Sequence, residues 1–432
     1  MTTKPAVAKE HPLLEGNDPF GGNHRRERHT LLPDPEPLPI ALPLVSVDDH
    51  LVEPPDVYLS RVPTKLRDRA PQIVEADGIE YWQFEDVREP NRTAQISVVG
   101  RPPSEWTLEP VLFEEMRRGS YDARARLLDM DIAGVAASLC FPSVLVGFAG
   151  QRFYRMKDAE LGLASMRAYN DWVIDEWVAT NPERFIAQQV TWLPDPQIAA
   201  DEVRKNAARG FKAVAFSENP ERLGFPSLYT NHWDPFFRAC EETETVVNLH
   251  VGSSSAVPRP SSDSPGDVSA TLFPVNGINA SVDWVYSRVP VRFPALKIAL
   301  SEAGVSWVPM IQERLKRIES FLSSSLTWRG VDRTPVEVFK SCFWFTSIED
   351  HCGIRERHTV GIDRIMLEMD YPHPDTSWPV TQDTIGVEVG GLPEHEQRML
   401  AYRNACALYR HSESAVEDFE RRIRASETVP AQ

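Results

Sequence analysis

The chain reads as an α/β protein, a (β/α)8 TIM barrel with a lid or subdomain inserted after its first strand and an extended arm before it. Two observations predict this. From about residue 121 onward short apolar runs alternate with helical stretches, and eight strand-like runs can be followed along the chain. Four of them turn abruptly polar at the C-terminal end, finishing at Asp48-Asp49-His50, His250, Glu302 and Asp370. A parallel strand buried on both faces has nothing polar in its body, so polar residues at its C-terminal end face the side where barrels build their sites. At 432 residues with 42% hydrophobic content, the chain is long enough for one barrel with insertions or for two domains. The sustained alternation favours the barrel.

The elements follow in order. Residues 1–40 are rich in Pro, Gly and charge and end in Leu32-Pro33-Asp34-Pro35-Glu36-Pro37, so they read as an arm without a core of its own, which an oligomeric partner could order. The first strand is the run 41–47. Residues 57–120 then hold hairpin-like runs at 79–84 and 96–99 with no alternation of strand and helix, which predicts the insertion. A helix at 123–130 precedes the second strand, 133–139. Leu163, Met166, Tyr169, Val173 and Trp177, at steps of three and four, make 161–180 a helix packed on the sheet. The third strand is 185–190, and a helix at 198–208 closes at Gly210 before the fourth, 211–216. After a helix at 233–242 the fifth strand ends at His250. The sixth ends at Glu302, the seventh spans 342–346 and the eighth ends at Asp370. The polar loop 252–267 lies at the barrel mouth, where long loops act as lids. Residues 394–409 form a helix packed on the barrel, and 416–425 an exposed charged helix or tail. The chain thus divides into an arm (1–40), a barrel domain (41–411, with the insertion 57–120) and a charged C-terminal segment (412–432).

Composition narrows the function. A formal net charge of −17 disfavours nucleic acid and anionic membranes, and no Gly-rich phosphate loop marks a nucleotide cofactor. A small molecule is the expected partner. No apolar stretch approaches a membrane span, and Met1-Thr2-Thr3-Lys4-Pro5 lacks the core of a signal peptide, so the expected location is cytoplasmic. Five scattered cysteines without CxxC spacing argue against a disulfide framework or a thiolate zinc site.

Asp48 and His50 carry the chemistry. Residues two apart on a strand project to one face, so a carboxylate oxygen and an imidazole nitrogen can reach one cation, while Asp49 points elsewhere. A cap or turn hydrogen bond explains any one such strand end, but not four together. Glu53, before the rigid Pro54-Pro55, and Glu349 and His351, after the seventh strand, stand at the same rim. They are candidates for touching substrate, steadying a ligand or meeting a second ion. Lys212 lies too early in its strand to reach the mouth, and His232 sits at a helix start beside its cap, Asp234, so both read as structural.

Three motifs, Val47-Asp48-Asp49-His50-Leu51-Val52-Glu53-Pro54-Pro55, Asn248-Leu249-His250-Val251-Gly252 and Glu368-Met369-Asp370-Tyr371-Pro372-His373, resemble those of the amidohydrolase superfamily. The likeness is to the branch holding aminocarboxymuconate semialdehyde decarboxylase and many metal-dependent hydrolases, and it covers roughly residues 44–411. It implies a TIM barrel and a divalent metal, with Asp48, His50, His250 and Asp370 at ligand positions. Relatives often dimerise, so the resemblance implies a homodimer, or a hetero-oligomer with a paralogue. Where many relatives carry a histidine after the sixth strand, this chain has Glu302, which makes the ligand set more anionic and opens one-ion and two-ion sites (Zn, Mn or Fe) alike.

The resemblance leads first to a hydrolase. The metal would lower the pKa of a bound water, Asp370 would take its proton, and His250 or His373 would polarise a carbonyl in a C–N or C–O bond. The alternatives are a decarboxylase that uses the same ligands to orient a substrate carboxylate, a dinuclear iron or manganese oxygenase, and a non-catalytic subunit beside a paralogue.

Overall fold

The computed structural model describes residues 31–76, 78–143, 145–321 and 326–427. Eight parallel strand positions build a TIM barrel. They are β1 (Leu44–Leu51), β5 (Val135–Pro142), a third strand split at Ala187 into β6 (Phe185–Ile186) and β7 (Gln188–Val190), β8 (Ala213–Ser217), β9 (Val246–His250), β10 (Ile298–Ser301), β11 (Phe343–Ser347) and β12 (Ile365–Leu367). β5 lies between β1 and β6, and the wall continues from β7 through β8, β9, β10 and β11 to β12. The ring closes where the chain beyond β12 meets β1: Asp370 N donates to Asp48 O at 2.8 Å, and His50 N donates to Tyr371 O at 2.6 Å. Every barrel strand read from the sequence is present, with ends shifted by a few residues.

The strands are almost wholly buried because helices cover the outer wall. The helix Ala123–Ala133 is capped by Asp122, whose side chain takes the amides of Arg124 and Ala125, and it stops at Gly134, φ 70°. Asp195 caps Pro196–Arg209 in the same way, and Gly210, φ 111°, ends it. Aromatic rings fasten helices to strands: Phe216 of β8 packs 4.9 Å from Phe236 and 5.9 Å from Trp284 between centroids.

The insertion differs from its expected outline. Its sheet is a three-stranded antiparallel meander, β2 (Gln72–Ala76), β3 (Ile79–Phe84) and β4 (Val87–Pro90). The run 96–99 does not form a strand. Ile96 ends a short helix, and Ser97, Val98 and Val99 lie buried against the barrel rim, where Val98 N donates to Pro372 O at 2.9 Å. Its β-branched residues serve packing rather than pairing.

The ends of the chain are also more integrated than composition suggests. The first 30 residues of the arm lie outside the described residues, but Leu32 N donates to Gly100 O at 2.8 Å, Asp34 pairs with Arg117 at 2.8 Å and Ile40 is buried, so the rest is held by this same chain. The last helix, Glu413–Glu427, is not an exposed tail. Val416 and Phe419, three apart on one stripe, are 1% exposed, and the Arg184 guanidinium lies 4.6 Å over the Phe419 ring. Among the described residues no helix is long and apolar enough to cross a membrane.

Candidate metal centre

Strand ends one, five, six and eight converge. His50 is the penultimate residue of β1, His250 closes β9, and Glu302 and Asp370 follow β10 and β12. His250 Nε2 lies 3.2 Å from His50 Nε2, 3.6 Å from Asp48 Oδ1 and 3.5 Å from Glu302 Oε2. His50 Nε2 lies 3.5 Å from Asp48 Oδ1 and 3.3 Å from Asp370 Oδ1. His373 joins from the turn after Asp370, its Nδ1 3.7 Å from Asp370 Oδ1 and its ring stacked on His50 at 3.7 Å. Two sets, Asp48–His50–His250 and His50–Asp370–His373, each offer ligand atoms within 4.8 Å of one another.

Local backbone aims these groups. Glu302 and Asp370 adopt left-handed φ values of 58° and 54°, unfavourable for a residue with a Cβ, at the points where their strands end. Glu302 N is held by Thr346 Oγ1 at 3.1 Å, and Asp370 N by Asp48 O. Asp49 faces the other way. It takes Ser46 Oγ at 3.0 Å, the Tyr371 amide at 3.1 Å and the Ser138 hydroxyl, and burial lifts its carboxyl to about 6. Arg126, fully buried, donates to the carbonyls of Gly119 and His50 and lies 4.0 Å over the Tyr371 ring, fixing the end of β1 from behind.

The protonation states suit a cation. His250 Nδ1 lies 2.7 Å from Val251 O, and a carbonyl only accepts, so Nδ1 carries the proton and Nε2 presents its lone pair to the cluster. Burial holds His250 down to about 4 and His373 to about 3; burial and the two neighbouring imidazoles hold His50 well below its ordinary value. All three are neutral near pH 7. Burial, followed by neighbouring carboxylates, drives Asp48, Glu302 and Asp370 well above the usual carboxylate range. Neither oxygen of Asp370 has a hydrogen-bond partner among the described residues, and those of Asp48 come near the Ser301 hydroxyl without closing a bond. Buried acceptors of this kind call for a counter-charge. Lone-pair nitrogens facing orphaned carboxylate oxygens fit a divalent metal with N and O ligands.

The other candidates separate. Glu53 is fully buried. Burial lifts its carboxyl to about 8, and the amides of Ser143 and Val146 face it without closing a full hydrogen bond. It stands against the loop that follows β5. Glu349 is exposed at the rim, where its charge helps to raise Asp375. His351 is exposed at the start of the helix His351–Arg355 and takes no part in the cluster, because Asp350 caps that helix through Gly353 N and turns the chain outward.

Two neighbours escaped the sequence reading. Glu368, 4% exposed, is raised to about 8 by burial with help from Asp375, and its charge in turn raises Asp48 and Asp370. Alternation was its signal, since it stands two residues before Asp370 in the same extended run. Phe148 lies in a loop, with its ring 4.1 Å from that of His250 and 4.9 Å from that of His50.

Comparison with known proteins agrees with the barrel fold. Residues 74–411 match the amidohydrolase family. The fold superposes on an amidohydrolase from Mycobacterium avium subsp. paratuberculosis with a TM-score of 0.68 at 21% identity, covering 86% of this chain and 100% of that one. It superposes on 5-carboxyvanillate decarboxylase from Sphingomonas paucimobilis with a TM-score of 0.60 at 21% identity, with the same coverage of both chains. A third similar structure is 5-carboxyvanillate decarboxylase from Novosphingobium aromaticivorans, complexed with manganese and a nitrobenzoic acid. Its TM-score is 0.59 at 18% identity, over 86% of this chain and 96% of that one. With its barrel, its strand-end histidines and carboxylates and a match over most of its length, the chain belongs to the amidohydrolase family.

Proposed function

We propose that this protein is a metal-dependent, non-oxidative decarboxylase of a small carboxylic acid. The observation that carries the reading is the buried Asp48–His50–His250 set, flanked by Asp370 and Glu302, in a barrel whose solved neighbours include manganese-bound decarboxylases. A divalent ion at these ligands would hold the substrate's carboxylate and offset the charge that builds up as the C–C bond breaks. Manganese suits a carboxylate-rich N,O set and is the metal we assign first.

The chain's own groups account for the rest. When carbon dioxide leaves, its bonding electron pair stays on the substrate carbon, which must then take a proton. Asp370 and His373, 3.7 Å apart, are the pair we assign to hold and deliver it. His50, His250 and Asp370 are buried, so charges among them act in a medium of low polarity, where they are strongest. Hydrolysis is the second reading, favoured by the 3.3 Å separation of Asp370 and His50, which would let Asp370 take a proton from water beside the ligands.

The test is to reconstitute the protein with manganese and to challenge it with a panel of small carboxylic acids in D2O under argon. Decarboxylation releases carbon dioxide and leaves deuterium on the vacated carbon, and Asp370→Asn lowers kcat by roughly a hundredfold or more with manganese still bound. Cleavage of an ester or amide without carbon dioxide would establish the hydrolase instead. Turnover that appears only when the assay is repeated in air would overturn both readings, and the absence of turnover in either atmosphere would favour the non-catalytic subunit.

A further inference from the structure

We propose that Phe148 is a specificity-determining residue of the metal centre, held in place by the insertion after β1; this rests on reading the centre as one that binds a carboxylic acid. The imidazoles of His50 and His250 are fully buried, whereas Phe148 is partly exposed. Its ring packs 4.1 Å from His250, 4.9 Å from His50 and 5.9 Å from His373. An aromatic side chain so placed covers the ring faces and edges of the histidines and offers its open side to whatever enters. A substrate that places one oxygen among the ligands must put its next few atoms beside this ring. A flat or slender body gains contact there, and a bulky substituent on that side collides.

The filter is stiff because its loop is pinned. Gly147 N donates to Ser143 O at 2.8 Å and Arg152 N to Val146 O at 3.1 Å, which folds the loop back on itself. Gly147 has φ 75°, and a Cβ there would stand 2.5 Å from the Gln151 side chain, so the turn needs glycine. Gln151 in turn accepts the Ala149 amide at 2.9 Å. The insertion's sheet then takes hold of the far end. Arg152 makes a two-pronged pair with Glu89 of β4, at 3.0 and 3.2 Å, and Glu85, in the β3–β4 turn, accepts the amides of Lys157 and Asp158 at 3.0 and 2.9 Å. The insertion thereby serves the centre from the side, by fixing the loop that carries Phe148.

The experiment uses manganese-loaded full-length protein and two probes, benzoate and biphenyl-3-carboxylate. Binding is read from the displacement of metal-bound water by proton relaxation, so no turnover is needed. Wild type should prefer benzoate. Phe148→Ala should shift the ratio of the two affinities by about tenfold or more toward the larger acid, and Phe148→Leu, which keeps most of the apolar volume, should fall between. Arg152→Ala should move the ratio the same way by a smaller factor. An unchanged ratio in Phe148→Ala or Phe148→Leu, with benzoate still bound, overturns the assignment of Phe148 and leaves the carboxylic-acid reading standing. Wild-type protein that binds manganese but neither acid overturns both.

Discussion

At the scale of single residues, His50 is the hub. Its Nε2 stands within 3.5 Å of Asp48, Asp370 and His250 at once. His50→Ala is expected to lose at least nine-tenths of the bound manganese, roughly the hundredfold upper range for a ligand or its support, while its circular dichroism stays native. Elemental analysis of the two proteins decides this. Glu53 makes a different prediction. Its carboxyl is held near 8 in the folded protein against an ordinary value of 4.5, so the folded state keeps a proton that the unfolded chain releases. The stability from that proton is complete below pH 4.5 and is lost as pH rises through 8. Metal-free protein should therefore show an unfolding temperature that declines between about pH 4.5 and 8, with a flatter decline in Glu53→Gln. A slope identical in the two proteins would show that Glu53 does not titrate there. Legibility varied at this scale for a physical reason. Asp48, His50, His250, Glu302 and Asp370 stood out because an apolar strand ends abruptly at each of them. Glu368 was masked by the more conspicuous Asp370 two residues on. Phe148 was not legible, since loop residues carry no periodicity and a ring's approach to another strand's histidine is set by long-range folding.

Among the elements, those with strong periodicity were legible and those whose role is set by a partner were not. Parallel strands buried on both faces announce themselves as apolar runs, and each was found. The run 96–99 looks the same by composition, yet its burial comes from lying against the barrel rim beside Pro372, so it needs no ladder. The last helix shows the reverse error. Its many charges hid a narrow apolar stripe in which Val416 and Phe419 are buried. Phe419→Ala should consequently lower stability by about 3 kcal/mol, the usual cost of emptying a buried aromatic site. Denaturant unfolding would show it, and no change in midpoint would return that helix to the status of a free tail.

For the whole molecule, the main physical problem is charge. The chain is strongly acidic, and Asp48, Glu302, Glu368 and Asp370 crowd their carboxylates into the barrel mouth, where burial and mutual repulsion raise each of them. A divalent ion bound there would remove much of that conflict. Manganese at a hundred times its dissociation constant should stabilise the fold by about 2.7 kcal/mol, and a chelator should reverse the gain; thermal unfolding with and without the chelator measures it. The closure of the barrel adds a further consequence. Asp48 and His50 come from the first barrel strand and Asp370 from just beyond the last, and the same stretch that brings them together supplies the backbone hydrogen bonds joining those two strands. A chain that ends before Asp370 thus lacks one wall of the centre and the backbone bonds that close the ring. A ribosome that has delivered residues 44–360 has made seven strands and two of the candidate ligand histidines, but no ring. If the centre takes a metal as proposed, full occupancy is expected only after the barrel closes, and a nascent chain stalled before Asp370 should hold manganese more weakly than the finished protein.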